Sequence, residues 1–454
     1  MEVYTKTNEK IIIKDDALAS GGEGEVHLIT SSLPKYKNSC VKIYYQQKRT
    51  PKLESKILFM TKNPPKEIIS DRYMLGWPQD IVYDSARNFI GFIMPLAFSN
   101  SRELAYLTTP KVSAKLEQVW HNKYSLDPKY SLEQRQYALL SRLKLLHNIA
   151  IPIHLLHNTG KYVLQDFKPQ NVLVTHDGKV SIVDMDSIQI TDNGKLLFPG
   201  TGLTNLYIPT EFHTLGVGKK QNIPIKRSWD YFALGVVFYQ ILFGLHPYVV
   251  TPKNLGDADN NDISQNIASD LFPFGYNRDQ IQSYPPLHNK FSAFPEEVQR
   301  LFRRCFTANP EQRPSAEDWG KEIHKILKQI GNIPAPTTIP PVPPTPKPRP
   351  IPPSPTPTEV LVCPECGCKS DSIKRYELPH LYVFLGVYLY YQNIEYTCCP
   401  HCMRKHIFVK GFTYNIITAN IFWLFFLLPW SIVQFLRSLT KGHSKEVKKD
   451  LGIQ

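Results

Sequence analysis

The stretch Leu164-Gln165-Asp166-Phe167-Lys168-Pro169-Gln170-Asn171, followed by Val183-Asp184-Met185-Asp186, decides how this chain is read. An aspartate, a lysine two residues on, an asparagine three further and a second aspartate past a short hairpin have complementary chemistries. One carboxylate can orient an attacking hydroxyl, and a primary amine can offset charge on a transferring phosphate. An amide oxygen and another carboxylate can hold the magnesium ions that bridge nucleotide phosphates. The hairpin between the two halves is legible too. Val172–Thr175 and Val180–Val183 flank His176-Asp177-Gly178-Lys179, with Asp-Gly at the turn.

Further landmarks follow in order. Ala19-Ser20-Gly21-Gly22-Glu23-Gly24-Glu25-Val26 is a glycine-rich turn between strands, where residues without side chains let backbone N–H groups approach phosphate oxygens. Lys42 sits in Val41-Lys42-Ile43, and Phe92-Ile93-Met94-Pro95-Leu96-Ala97 is an apolar strand that runs into a break. Downstream lie Thr204-Asn205-Leu206-Tyr207-Ile208-Pro209-Thr210-Glu211, Asp230-Tyr231-Phe232-Ala233-Leu234-Gly235 and Arg313 in Asn309-Pro310-Glu311-Gln312-Arg313-Pro314-Ser315. This ordered set resembles the protein kinase superfamily over residues of about 17 to 325, with L-Q-D in place of H-R-D and D-M-D in place of D-F-G. Among kinases it is most similar to bacterial-type Ser/Thr enzymes that carry D-M-D metal loops.

The resemblance implies an α+β, two-lobed protein-kinase-like fold that uses ATP and Mg²⁺ (or Mn²⁺) to phosphorylate Ser or Thr hydroxyls of a protein substrate. Asp166 would orient the hydroxyl and Lys168 would meet the γ-phosphate. Asn171 and Asp184 would hold the metal. Gly21, Gly22, Gly24, Val26, Lys42, Met94, Pro95 and Ala97 would form the ATP site. Glu54, with Glu67 as competitor, would pair with Lys42 from the following helix, and Glu211 and Arg313 would form a buried structural pair. Two departures carry consequences. With Gln165 for arginine, no cation stands ready to receive a phosphate on Thr201 or Thr204, so activation by phosphorylating that segment is not expected. Asp186 in place of glycine should make the metal loop harder to flip, because a non-glycine residue resists positive φ.

The secondary-structure pattern is consistent with a β-rich small lobe and a helical large lobe. Strand-like stretches occupy Ile11–Ile13, Glu25–Thr30, Cys40–Tyr44, Asp80–Tyr83 and Phe89–Met94. Ser131-Leu132-Glu133-Gln134 resembles a capping box and opens an amphipathic run through Leu139, Leu143, Leu146 and Ile149. Pro152 predicts a kink or break in that run, and Asn158-Thr159-Gly160 its stop. Tyr231–Leu242 is apolar on nearly every face but too short to span a bilayer, so a buried helix is expected.

The chain has 454 residues, with 53 Lys+Arg against 40 Asp+Glu. That length implies two or three units. The basic excess fits anionic lipid, nucleic acid or a plain solvated surface. The expected organisation is a kinase domain over 1–330, a proline-rich linker over 331–359, a zinc-ribbon-like domain over 360–410, a membrane segment over 411–437 and a basic tail over 438–454. Proline fixes φ and removes donors, so the linker should be an extended spacer. It could also dock a proline-motif-binding partner around Pro344–Pro350.

Six of the eight cysteines fall between Cys363 and Cys402. The pairs Cys363-Pro364-Glu365-Cys366 and Cys399-Pro400-His401-Cys402 each put two thiolates on one turn. Together they suit a closed, structural Zn²⁺ site better than a redox dithiol. Cys368 and Cys398 are spare, and Leu378–Tyr391 could be hairpin strands or an interfacial surface. Residues 411–436 contain no Asp, Glu, Lys, Arg or His, long enough for a transmembrane helix, or for a hairpin at Pro429. The N-terminus has no apolar core of an export signal. A membrane location with the kinase domain cytoplasmic follows. A pseudokinase scaffold that signals by contact is the first rival. A zinc-ribbon nucleic-acid-binding regulator is the second, although nucleic acid is not expected as a partner because the inter-knuckle stretch lacks clustered Lys and Arg.

Overall fold

The computed structural model describes residues 1–31, 33–213, 224–253, 262–307, 309–330, 361–363, 369–370, 372–384 and 388–406. The chain divides into two compact units, Met1–Pro340 and Pro341–Gln454. The expected linker over 331–359, the membrane segment over 411–437, the tail over 438–454 and Cys366 lie outside the described residues.

The first unit opens with β1 (Glu2–Thr5), β2 (Lys10–Ile12), β3 (Ala19–Ser20), β4 (Gly24–Leu28) and β5 (Ser39–Tyr44). Helix α1 (Pro51–Lys62), β6 (Tyr73–Leu75), β7 (Asp80–Tyr83) and β8 (Phe89–Pro95) follow. All but β6 build a seven-stranded sheet in the order β2-β1-β7-β8-β5-β4-β3. The expected strands are all in it. β1 is an addition: its short Val3-Tyr4-Thr5 run buries Val3 and Thr5 by pairing between β2 and β7.

Alternation along the central strands assigns their faces. Cys40, Tyr44, Phe89, Phe92 and Met94 join the main core, whereas Val41, Ile90 and Ile93 join Val3, Ile11 and Val82 on the other face. Lys42 lies in phase with Cys40 and Tyr44, so the two-residue period of the strand turns it towards the main core side. Strands β5 and β8 come very close there. A β-carbon on Gly91 would lie 1.9 Å from the Lys42 carbonyl oxygen, so no larger residue fits. Helix α1 begins with Pro51 behind an N-cap, Thr50, whose side chain accepts from the Leu53 N–H.

The helical part contains α2 (Gln118–Tyr124), α3 (Leu132–Asn158), α4 (Thr210–His213) and α5 (Arg227–Phe243). Ser131 caps α3 by accepting from the Gln134 N–H at 3.2 Å, as its sequence implies. Of the kink or break expected at Pro152, the break is absent. The helix runs through it because Ile149, Ile153 and Leu156 on both sides are buried in the core, and that packing outweighs one missing hydrogen bond. Gly160 then ends the run with φ of 76°. Helix α5 is buried along most of its length, as expected.

A second sheet positions the chemistry. Strands β9 (Arg102–Glu103), β11 (Val172–Val174) and β12 (Val180–Ile182) join β6 in the order β6-β12-β11-β9, and β10 (Tyr162–Val163) belongs to a separate small sheet. The β11–β12 pair is the expected hairpin, turning at Gly178 with φ of 98°. The loop from Asp166 to Asn171 therefore enters β11 and the loop from Asp184 to Asp186 leaves β12 in fixed register.

In the second unit, Lys374–Phe384 and Tyr388–Cys398 form a hairpin paired from Lys374 with Cys398 to Phe384 with Tyr388. This resolves the inter-knuckle stretch as strands. A short helix, Pro400–His406, follows. Among the described residues no helix is long and apolar enough to cross a membrane.

Candidate active site

A cavity of about 480 Å³ is lined by Gly21, Gly22, Gly24, Val26, Lys42, Met94, Pro95, Ala97, Asn171 and Asp184. That volume is within the range of small-molecule sites, roughly 300–1,000 Å³. The cavity gathers residues from the glycine-rich loop, β5, β8 and both loops around the β11–β12 hairpin. Gly24 is required for packing alone: a β-carbon there would meet the Ile43 carbonyl oxygen at 2.1 Å. Gly21 and Gly22 have open space around them.

The loop that carries Asp166 is hung from a buried carboxylate. Asp230 accepts from the Leu164 N–H at 2.7 Å and the Gln165 N–H at 2.9 Å, and it also meets His157 Nε2 at 2.8 Å. These contacts hold Gln165 at φ of 67° and present Asp166 just beyond. Asp166 Oδ2 accepts from Lys168 Nζ at 2.6 Å, and Oδ1 accepts from the Thr204 hydroxyl at 2.7 Å. Lys168 Nζ also donates to Thr204 Oγ1 at 3.0 Å. Asn171 Nδ2 donates to the Asp166 carbonyl at 3.0 Å, which turns the amide oxygen away from that carbonyl.

Asp166 and Lys168 are not among the residues lining the cavity, but Gly202 is, and a β-carbon on it would lie 3.7 Å from Asp166 Oδ2. The carboxylate therefore stands next to the cavity mouth. The role of Thr204 as a bridge between Asp166 and Lys168 was not read from the sequence. Its place in the T-x-x-Y stretch was the available signal. Gln165 Nε2 donates to the Gly202 carbonyl at 2.9 Å, so a neutral amide supports the segment where the resemblance would put an arginine.

The expected Glu54–Lys42 pair is not formed. Glu54 Oε1 accepts from the Tyr83 hydroxyl at 2.9 Å, and the competitor Glu67 accepts from Tyr73 at 2.6 Å. The reason is the rotation of α1. Its inward stripe is Leu53, Lys56, Ile57 and Met60, at helical spacing, and Glu54 falls off it. Lys56 is on that stripe, and its Nζ donates to the Asp186 carbonyl at 2.6 Å.

Lys42 finds its partners in the metal loop instead. Its Nζ lies 2.7 and 2.9 Å from the Asp186 carboxylate oxygens and 3.2 Å from Asp184 Oδ1. The Tyr44 hydroxyl also donates to Asp186, at 2.6 Å. Burial alone would lower the Lys42 pKa, but Asp186 and then Asp184 outweigh it and the amine is held above its ordinary value. Burial would likewise raise the Asp186 pKa, and Lys42, assisted by Tyr44 and Lys56, reverses this. Lys56 is different: burial brings its amine down to about 8 despite the nearby Asp186 charge. Asp184, by contrast, is half exposed to the cavity at a left-handed φ of 60°.

The activation segment ends where Glu211 and Arg313 meet as a two-pronged pair, Nη1–Oε1 and Nη2–Oε2 both at 2.7 Å, as its motif implies. In the other unit, buried Cys363, Cys399 and Cys402 bring their Sγ atoms within 4.8 Å of one another. The Cys399 N–H also donates to Cys363 Sγ at 3.2 Å. Cys398, though buried, is not part of that group. Three converging thiols suit a soft tetrahedral metal.

Residues 111–324 match the family model of the protein kinase domain. Protein kinase YegI of Escherichia coli (strain K12) is 27% identical over 342 residues, 73% of this chain and 47% of that protein. The probable serine/threonine-protein kinase ireA of Dictyostelium discoideum is 27% identical over 172 residues, 36% of this chain and 14% of that protein. A probable serine/threonine-protein kinase of Clostridium acetobutylicum is 26% identical over 188 residues, 41% of this chain and 23% of that protein. The chain thus spans about half the length of YegI or less of its other relatives.

Proposed function

From the premise that the chain carries a protein kinase domain in a kinase-like fold, we propose that it is an ATP-dependent serine/threonine protein kinase. The observation that supports this most is the single cavity in which the glycine-rich loop, Lys42, Asn171 and Asp184 converge beside Asp166. Lys42 is the group for the α- and β-phosphates and Lys168 for the γ-phosphate. Asp166 orients the substrate hydroxyl, and Thr204 fixes Asp166 against Lys168. Met94, Pro95 and Ala97 form the adenine end. Asn171 and Asp184 would hold magnesium, which would supply positive charge against the triphosphate. Most of the rate then comes from positioning and from charges already in place. Labelled ATP tests the proposal. Wild type should label itself or a protein acceptor on serine or threonine, and Asp184→Ala should not. Equal labelling by both, or label on tyrosine alone, sinks it.

The C-terminal unit is read as a structural zinc module next to a membrane anchor. Cys363, Cys399 and Cys402, completed by Cys366 from the first knuckle, would hold Zn²⁺ as a closed, non-catalytic centre. The uncharged run over 411–436 supports tethering, with the kinase domain in the cytoplasm where ATP is found. Full-length protein should sediment with membranes, come off with detergent but not with salt, and carry stoichiometric zinc. Soluble recovery counts against the anchor, and absence of zinc against the module.

A further inference from the structure

The cavity's lysine depends on a carboxylate from an unusual place. Lys42 is a buried amine whose closest counter-charge is Asp186, two residues past Asp184 in the same loop. Asp186 is itself buried, so neither charge can turn to solvent, and each needs the other. The loop contributes more than one contact. The Asp186 carboxylate takes both Lys42 and Tyr44, and its backbone carbonyl takes Lys56 from α1. Asp186 is not among the residues with positive φ, so its backbone does not call for glycine and its side chain is free to serve as the anchor. Helix α1, which the kinase resemblance would have supply a glutamate, supplies a cation to the same point.

We propose that Asp186 is the positioning residue for Lys42 and that Lys56 holds Asp186 in place. The lysine–carboxylate pair of the phosphate site is thus built with its charges exchanged between α1 and the metal loop. This rests on the reading of the cavity as a Mg·ATP site and adds how its lysine is held. Two consequences follow from the geometry. One short loop carries both the carboxylate that orients Lys42 and the carboxylate assigned to the metal, so displacing it removes both at once. Helix α1 is tied to that loop through Lys56, so its position is coupled to the phosphate site through a cation and not through an anion.

The exchange can be reversed by mutation. Full-length wild type, D186N, D186G, K56E and the double variant K56E/D186G are titrated with Mg·ATP by calorimetry. Their unfolding midpoints are recorded alongside. The single variants D186N and D186G should bind about tenfold or more weakly, because Lys42 keeps only the half-exposed Asp184 at 3.2 Å and the more distant Glu23 at 3.9 Å as counter-charges. The double variant should return to within about threefold of wild type, because a glutamate on the inward stripe of α1 can reach Lys42 once Asp186 is gone. A residue needed only for stability would not be rescued by K56E. If D186G unfolds, D186N decides, since it keeps the side-chain volume and an acceptor for Tyr44.

A second readout does not involve nucleotide. Acylation of Lys42 by an amine-directed ester, mapped by mass spectrometry, should be slow in wild type and several-fold faster in D186N, where the amine loses its main carboxylate. If wild type fails to bind Mg·ATP while D186N still speeds acylation, the nucleotide reading fails and the anchoring of Lys42 by Asp186 stands. If wild type binds Mg·ATP and D186N binds within twofold of it with unchanged acylation, the anchoring is wrong and the nucleotide reading survives. A folded double variant no tighter than D186G would overturn the charge exchange.

Discussion

Asp166→Asn should lower kcat by about 10²–10⁴ while leaving Mg·ATP affinity within a few-fold of wild type. The asymmetry comes from where Asp166 sits. It is outside the lining of the cavity proposed for nucleotide but next to it, with its two oxygens on Lys168 and Thr204. Asparagine keeps the volume and one acceptor oxygen, so the hydrogen bond from Thr204 or that from Lys168 can persist. It loses the negative charge that draws the proton of an incoming hydroxyl and balances Lys168. Steady-state kinetics at varied ATP, with binding measured separately, distinguish the two quantities. A variant that keeps its turnover would favour the contact-signalling scaffold. One that loses ATP affinity instead would move Asp166 into the nucleotide site.

The second large effect concerns stability. Glu211→Ala should cost about 3–5 kcal/mol, because it strands a guanidinium that is almost wholly buried. The Arg313 side chain is 1% exposed, whereas that of Glu211 is 30% exposed. Arg313→Ala should therefore cost less, since the carboxylate left behind can turn partly to water. Arg313 retains the Ser228 carbonyl at 3.2 Å and the face of Phe232, but neither replaces a counter-charge. Denaturant midpoints of the two variants give the order directly. Equal losses, or losses of both under about 1 kcal/mol, would mean that the pair contributes registry and little stability.

The readings that held share a property: they depend on residues close in sequence or on geometry that short spacing imposes. The Asp177-Gly178 turn and the Ser131 cap are of this kind, and both occupy the expected places. Of the kink or break expected at Pro152, the break did not occur because a local rule met a tertiary one. Its neighbours Ile149, Ile153 and Leu156 are fixed in the core, and the helix continues around the missing donor. Glu54 failed for a related reason. A glutamate in the first turn of a helix is favoured by the helix dipole wherever it points, so its presence said nothing about which way it faced. The stripe of Leu53, Ile57 and Met60 did contain that information, and it selects Lys56.

Asp186 marks the boundary most clearly. As a letter in D-M-D it promised only a stiffer loop, since its effect was judged from backbone preference. In the folded chain its carboxylate is the partner of a lysine 144 positions away.

From the sequence alone came the order of the loops around the cavity and the hairpin that joins them, because a few consecutive residues suffice to impose each of those geometries. The three-dimensional packing alone settled the partners of Lys42, Lys56 and Asp186. A turn of about 100° per residue about a helix axis decides whether an anion or a cation enters the core, and that rotation is set by the whole apolar stripe and the sheet it packs on.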